Sequence, residues 1–474
     1  MALPRSICKT ISFPLLSLVA GALLAQTSAA KHTAHTSMSQ TDQTRLHAAL
    51  DAYDAGHPIE AEPILRDLSK RYPANFEASE ALGSLYAESG DLVRALPFLQ
   101  HAAEVAPKQA IAQANLGATL LKLGKTSEAV AALQKASALD PRNSASLSNL
   151  GQALLTDGKP AQAALALTSA SALAPGDADL KYNLALALYN IGSTESAVKA
   201  AAVLATIPAA SMTGEMHSLA ADADEHAGHY ALALAHFQAA AQKSPSDANL
   251  YALVAELLRH WNWVEAIEVA QFGAAQFPSS VHFRLATGVA YYGKSDYKAA
   301  AEIFSSLLAK DPENATVAGL LGRSCGAMPD GISADCEGMY GFVERHPGNA
   351  ILSTYAANIM LREPEGKRDL DKAAALLRTA IAVNPQLAEA YLSMGTLDQV
   401  RLQWQESTKV LERAVALRPA MAEAHYRLSR AYAHLGRREE AQEQIALHQK
   451  YSKEAKDSLD ARMQEVMRFV LNPS

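Results

Sequence analysis

Three asparagine residues, Asn115, Asn149 and Asn183, recur at an interval of 34 residues. They stand in the similar tripeptides Asn-Leu-Gly, Asn-Leu-Gly and Asn-Leu-Ala. An asparagine side chain offers both a hydrogen-bond donor and an acceptor, so it can pair with a peptide group without reading a ligand side chain. A ladder of such residues along one face would hold an extended polypeptide. The alternative is that each asparagine bonds within its own repeat or to the neighbouring helix, and the sequence leaves both interpretations open.

A second group of polar residues lies near the C-terminus. Arg427, Arg430 and His434 are spaced by three and four residues, which places them on one face of a helix. Such a basic stripe predicts an anchor for a carboxylate of a partner, since cations form short, strong hydrogen bonds with carboxylates. The alternative is a solvated face whose charge is offset by Glu423 and Glu440.

Two of the three cysteines, Cys325 and Cys336, lie far from the N-terminal apolar segment that contains Cys8. Both fall in a predicted pair of antiparallel helices, so their side chains can approach each other. Disulfides persist in oxidising compartments, and we therefore predict a Cys325–Cys336 bridge. The alternative is a pair of buried free thiols.

Sequence motifs of catalysis are missing. Gly124-Lys125-Thr126 matches the end of a phosphate-binding loop, but that motif requires a glycine where this chain has Thr119. The sequence contains neither the HExxH motif of metalloproteases nor the GxSxG motif of serine hydrolases. We expect no enzymatic activity, no catalytic residues, no cofactor and no metal site.

Prolines mark a long internal repeat. Pro73, Pro107, Pro141 and Pro175 are each 34 residues apart, and the series continues with steps of 33 to 38 residues from Pro245 to Pro419. With each proline numbered as position 32 of its unit, glycine recurs at position 8, alanine at position 20 and a large apolar residue at position 24. Small residues at two positions allow two helices to approach closely, and a proline ends the second helix.

This pattern resembles the tetratricopeptide repeat family over residues 42–450. The resemblance implies an all-α fold, a right-handed α-α superhelix (solenoid) of about twelve helix pairs whose first helices line a concave groove. The asparagine series is similar to the ladder in the superhelix of O-linked N-acetylglucosamine transferase. Only the binding mode carries over, because the catalytic domain of that enzyme has no counterpart here.

The two ends of the chain differ from the repeats. Residues 1–30 show the charged, apolar and small-residue order of a cleavable signal peptide, and residues 31–41 are predicted to be a flexible polar linker. The apolar run of the signal is shorter than the roughly 20 residues of a spanning helix, so removal is favoured over a retained anchor. Residues 451–474 are predicted to form a solitary capping helix and tail.

The net charge of −7 argues against binding to a phosphate backbone, so nucleic acid is not an expected partner. We expect an exported protein, periplasmic or secreted, with no stable membrane span after signal removal. Its predicted function is a non-catalytic interaction scaffold of the cell envelope or extracellular space that binds a protein or peptide in the concave groove. The alternative is an accessory subunit of an envelope export or polysaccharide-assembly complex.

Overall fold

The computed structural model describes residues 38–328 and 334–471, of which residues 458–471 are described only in their backbone. The described residues form 24 α-helices and two short 3₁₀ helices and contain no strand. The 24 helices confirm the predicted all-α solenoid of about twelve helix pairs. The chain divides into two compact units, residues 1–233 and 234–474. The predicted signal peptide and most of the linker lie outside the described residues.

The first unit consists of successive helix pairs in which each first helix packs on the second helix that follows it. Helix α12 (Tyr230–Lys243) contains the boundary between the units. The helices before it are α1 (Gln40–Asp54), α2 (Pro58–Arg71), α3 (Phe76–Glu88), α4 (Leu92–Val105), α5 (Ala110–Lys122), α6 (Thr126–Leu139), α7 (Ser144–Thr156), α8 (Pro160–Leu173), α9 (Ala178–Asn190), α10 (Thr194–Leu204) and α11 (Gly214–Ala227).

The second unit repeats the same arrangement. Its helices are α13 (Asp247–Arg259), α14 (Trp263–Gln276), α15 (Val281–Gly293), α16 (Tyr297–Lys310), α17 (Ala315–Ala327), η1 (Ala334–Glu337), α18 (Gly338–Arg345), α19 (Ala350–Arg362), η2 (Glu365–Lys367), α20 (Leu370–Val383), α21 (Ala388–Val400), α22 (Trp404–Leu417), α23 (Ala422–His434) and α24 (Arg438–Leu471).

Local sequence signals fix the ends of the helices. Asn75 precedes α3, and its Oδ1 accepts a hydrogen bond of 2.8 Å from the backbone N–H of Ala78. This contact satisfies one of the N–H groups that a helix start leaves unpaired. Gly90 takes a left-handed conformation (φ 83°) between α3 and α4, which lets the chain reverse without a steric penalty.

The contact between positions 8 and 24 brings the two helices of a pair together. A Cβ atom added to Gly83 would lie 2.6 Å from Cγ of Leu99, and one added to Gly151 would lie 2.3 Å from Cγ of Leu167. Both leucines are fully buried. The structure therefore shows that the small residue at position 8 of the first helix permits close packing against the large residue at position 24 of the second.

Two predicted boundaries are wrong. Helix α1 begins at Gln40, inside the predicted linker, because Ser39 caps it by accepting a hydrogen bond from the N–H of Asp42. The predicted solitary helix from residue 451 is the continuation of α24, which runs unbroken from Arg438 to Leu471. No glycine or proline interrupts the chain over this range, so nothing ends the helix at residue 450.

The repeat is least regular in the middle of the second unit. Helix α18 has only eight residues and follows the short helix η1. The turn between α19 and α20 is lengthened and contains η2. Among the helices of the described residues, none combines the length and apolar character needed to cross a membrane.

Candidate polypeptide-binding surfaces

The three asparagines occupy the same face of α5, α7 and α9. We call the surface formed by positions 2, 5, 6, 9 and 12 of α3, α5, α7 and α9 the first-helix face. Asn115 and Asn149 are each 2% exposed, and Asn183 is 8% exposed. The ladder therefore lies at the bottom of this face, where adjacent first helices meet, and its side chains are not open rungs.

Asn115 bonds to the preceding repeat. Its Nδ2 donates to Oε1 of Glu80 (2.5 Å) and to Oγ of Ser84 (3.1 Å), and the Ser84 hydroxyl donates to the same Glu80 oxygen (2.9 Å). All three residues are buried. These contacts give Asn115 the structural role that the sequence left open as an alternative, because they join α5 to α3.

The same cluster leaves acceptors without partners. Oδ1 of Asn115 is buried and receives no hydrogen bond from the described residues. Both hydrogen bonds to the Glu80 carboxyl group end on Oε1, so its Oε2 receives none from the part of the chain that the structure describes. Buried polar atoms are nearly always paired, so the unpartnered Oδ1 of Asn115 favours a donor supplied from outside the chain.

Electrostatics at Glu80 favour a cation. Burial raises the pKa of this carboxyl group, the hydrogen bonds from Asn115 and Ser84 oppose the rise, and the charge of Glu88 adds to it. No lysine, arginine or histidine of the described residues forms an ion pair with Glu80. An ionised carboxylate that is buried without a counter-ion is costly, and an incoming cation would relieve that cost.

Further acidic and aromatic groups lie on the first helices of this unit. The hydroxyl of Tyr53 donates to Oε1 of Glu88 at 2.6 Å, and burial together with this carboxylate raises the pKa of Tyr53. Tyr182, at the position in α9 that corresponds to Glu80, is half-buried, and its pKa is raised by burial and by Glu215. The first-helix face thus carries an acidic group at Glu80 and a tyrosine ring at Tyr182.

The predicted basic stripe of α23 is not a set of three open cations. Nε of Arg427 donates to Oε1 of Glu423 at 2.7 Å. His434 stacks on Trp404 with ring centroids 3.7 Å apart. Arg430 is exposed and makes no ion pair with a described residue. The structure therefore leaves one arginine of the stripe available to a carboxylate.

Cys325 and Cys336 are joined by a disulfide bond, with their Cα atoms 6.0 Å apart. Both residues are fully buried and belong to one apolar cluster with Leu321, Met339 and Phe342. The bridge connects the end of α17 to η1, where the second helix of the pair is shortened.

The tetratricopeptide repeat model matches residues 46–110, 114–178, 148–212, 251–315 and 392–450, which together cover more than half of the chain. The chain belongs to the tetratricopeptide repeat family. No curated protein matches it. Members of this family generally act as interaction scaffolds and bind proteins or peptides.

Several solved structures are similar to parts or most of this tetratricopeptide repeat chain. PilF of Pseudomonas aeruginosa is 19% identical, with 44% of this chain and 95% of that chain covered and a TM-score of 0.37. YrrB, described as a tetratricopeptide repeat protein with an unusual peptide-binding site, is 20% identical over 40% of this chain and 97% of its own (TM-score 0.37). Yeast Tom70 is 17% identical over 85% of this chain and 96% of its own (TM-score 0.36).

Sequence reasoning found Asn115 but missed its partners. Glu80 and Ser84 occupy positions 5 and 9 of the preceding unit, so their meeting with position 6 of the next unit follows from the stacking of first helices. A glutamate at position 5, one unit before an asparagine at position 6, is the sequence pattern that could have predicted this hydrogen bond.

Proposed function

We propose that this chain is a non-catalytic scaffold that binds a polypeptide along the first-helix face of the first unit. The observation that carries the proposal is the buried, unpaired Oδ1 of Asn115 beside the Glu80 carboxyl group, whose hydrogen bonds from described residues all end on Oε1. A bound polypeptide would supply the missing donors through its backbone N–H groups or a cationic side chain.

The charge of the face specifies the class of partner. Glu80 lies on it, Glu88 and Glu215 lie on first helices of the same unit, and the chain as a whole has a net charge of −7. A segment rich in lysine or arginine would be attracted to this surface, and its ammonium or guanidinium group would offset the buried charge of Glu80. The preferred ligand is therefore a basic peptide that also presents an apolar side chain to Tyr182.

The test begins with peptides selected from a random library against the immobilised full chain. Affinity for the selected peptides is then measured for Ser148→Arg, which places a bulky cation on α7 at the position corresponding to Glu80. The matched control is Leu165→Arg on α8 of the same repeat, where the leucine is 73% exposed and lies outside the first-helix face. We expect Ser148→Arg to weaken binding about tenfold or more and Leu165→Arg to leave it unchanged.

Equal effects of the two arginine substitutions would contradict the proposed site. Selected peptides that bind independently of added salt and lack basic residues would contradict the proposed charge class, because attraction between exposed charges is screened by salt.

Export is the second part of the proposal. It is supported by the signal-like order of residues 1–30 and is compatible with the Cys325–Cys336 bridge, since disulfides persist outside the cytosol. N-terminal sequencing of the protein from its native source should find a start near Lys31. A start at Met1 would contradict removal of the signal.

A further inference from the structure

A cavity of about 530 Å³ lies between the second helices of the first two repeats, α2 and α4, with α3 beneath them. We call it the α2–α4 cavity. Its lining residues are Arg66, Ser69, Lys70, Ser79, Pro97, Phe98 and His101. The cavity is separate from the first-helix face, because Ser79 is next to Glu80 in α3 and successive side chains of a helix point in different directions.

The polar lining of the cavity is cationic. Arg66 forms an ion pair with Glu62, and Nε2 of His101 donates to the backbone oxygen of Pro73 at 2.5 Å. Lys70 is exposed and forms no ion pair with a described residue. No acidic residue of the described chain lines this cavity. An unpaired ammonium group at a cavity of an acidic protein favours an anionic ligand.

Ser79 gives a second, independent sign of a ligand. Its side chain lines the cavity and is 1% exposed, and its Oγ makes no hydrogen bond with any described residue. The neighbouring hydroxyl of Ser69, in contrast, donates to the backbone oxygen of Arg66 at 3.2 Å. A buried hydroxyl without a partner is costly, so a ligand that accepts its hydrogen bond would be favoured.

The next repeat pair shows how this chain closes the same space. Gln113 occupies the position of Ser79, and its Nε2 donates to the backbone oxygen of Ala103 at 3.4 Å. Ala103 in turn occupies the position of Ser69, and Glu104 that of Lys70. A longer side chain therefore spans this space, and the charge beside it is reversed. The open, cationic cavity is a property of the first two repeats and not of repeat geometry in general.

We propose that the α2–α4 cavity binds a carboxylate carried by an apolar residue, as the C-terminal residue of a partner polypeptide would present it. The ammonium group of Lys70 pairs with the carboxylate, and the Ser79 hydroxyl donates to it. Phe98 and Pro97 contact the apolar side chain, and the ring of Phe98 is held in place by Tyr86, whose centroid lies 5.8 Å away. Charge, hydrogen bonding and apolar contact thus act on one terminal residue.

The proposal is tested with three probes on the full chain by ligand-observed NMR and calorimetry. The probes are acetyl-Gly-Gly-Phe with a free carboxylate, the same peptide as its C-terminal amide, and inorganic phosphate. We expect the free acid to bind about tenfold or more tightly than the amide. Equal binding of acid and amide would overturn the role of the carboxylate. Full displacement of the acid by phosphate at equal concentration would overturn the role of the apolar contact.

Two substitutions copied from the next repeat pair locate the binding. Ser79→Gln places the residue of Gln113 in the cavity and should abolish binding of the free acid, and Lys70→Glu should weaken it about tenfold. The matched control Lys135→Glu makes the same charge change at an exposed residue of α6, outside the α2–α4 cavity, and should leave binding unchanged. Unchanged binding by Ser79→Gln with a native melting temperature, or equal losses in the two lysine variants, would overturn the site. None of these results depends on the first-helix face.

Discussion

Gly117 in α5 tests the packing rule that joins the two helices of each repeat. A Cβ added at this residue would lie 2.5 Å from Cγ, 3.0 Å from Cδ2 and 3.2 Å from the backbone nitrogen of Leu133 in α6. Leu133 is fully buried, so its side chain has no open space to move into. The substitution Gly117→Ala must therefore separate the two helices or force Leu133 out of its preferred rotamer.

Two effects of opposite sign determine the magnitude. Alanine is favoured over glycine inside a helix by up to about 1 kcal/mol. Adding a methyl group to a well-packed core costs about 1–3 kcal/mol, and contact with a branched carbon at this distance belongs to the upper part of that range. We expect Gly117→Ala to lower the local stability of α5 and α6 by about 1–2 kcal/mol.

A double-mutant cycle measured by native-state hydrogen exchange separates the two effects. The amides of α5 and α6 report the free energy of local opening, which suits a long repeat chain whose global unfolding need not be two-state. Leu133→Ala alone should cost about 2–5 kcal/mol. Adding Gly117→Ala to Leu133→Ala should cause no further loss, because the methyl group then has space, and should recover up to about 1 kcal/mol.

Gly319→Ala in α17 is the matched control, since its added Cβ meets only Cδ2 of Leu352 at an ordinary 3.7 Å. This substitution should stabilise α17 by up to about 1 kcal/mol. The reasoning is refuted if Gly117→Ala and Gly319→Ala have the same effect, or if the loss caused by Gly117→Ala persists in the Leu133→Ala background.

Three further predictions concern the second unit. Leu402 is 71% exposed and has a left-handed backbone conformation (φ 60°), so Leu402→Gly should remove about 1 kcal/mol of backbone strain. The gain should appear as slower hydrogen exchange of the amides of α21 and α22, and unchanged or faster exchange would contradict it. Burial raises the pKa of Asp398 to about 6 because it disfavours the ionised carboxylate. The protonated side chain stabilises the fold at pH values below the ordinary carboxyl pKa, and this contribution is lost as the pH rises through about 6. Asp398→Asn should therefore stabilise the chain by about 1–2 kcal/mol at pH 8, after allowance for screening, and have little effect near pH 4; equal effects at both pH values would contradict the assignment. Reduction of the Cys325–Cys336 bridge should lower stability by about 3 kcal/mol. Two reactive thiols per mature chain, which lacks Cys8, under denaturing conditions would contradict the bridge.

The sequence predicted the positions that the repeat geometry requires. Prolines and glycines act on the backbone of their own residues, so Pro107 and Gly90 could be interpreted one unit at a time. The left-handed turn also persists where glycine is absent, as at Leu402 and Trp261, because the helix pair on either side determines the conformation. The residue type at these positions therefore does not predict the left-handed conformation.

The candidate sites were harder to predict because they depend on contacts between units. The pairing of Asn115 with Glu80 joins residues 35 positions apart, and the spacing of asparagines alone gave no sign of it. The stacking of His434 on Trp404 likewise gives a residue of the predicted stripe a contact within the chain. The first contact joins the first helices of two successive units, and the second joins the second helix of one unit to the first helix of the next. The residue pattern of a single unit contains neither relation.

Consecutive residues of α3 separate the two proposed surfaces. Ser79 lines the cationic α2–α4 cavity, and Glu80 lies at the bottom of the acidic first-helix face. Because the two side chains differ in direction by about 100°, one helix carries sites of opposite charge preference without bringing their ligands together. A substitution at either residue therefore tests its own surface: Ser79→Gln leaves the carboxyl group of Glu80 in place, and Glu80→Gln leaves the cavity open. If the two surfaces serve one partner, that partner must present a basic segment and an apolar carboxylate at separate points. The first contact then raises the effective concentration of the second, so loss of either contact should lower the overall affinity by more than that contact contributes alone.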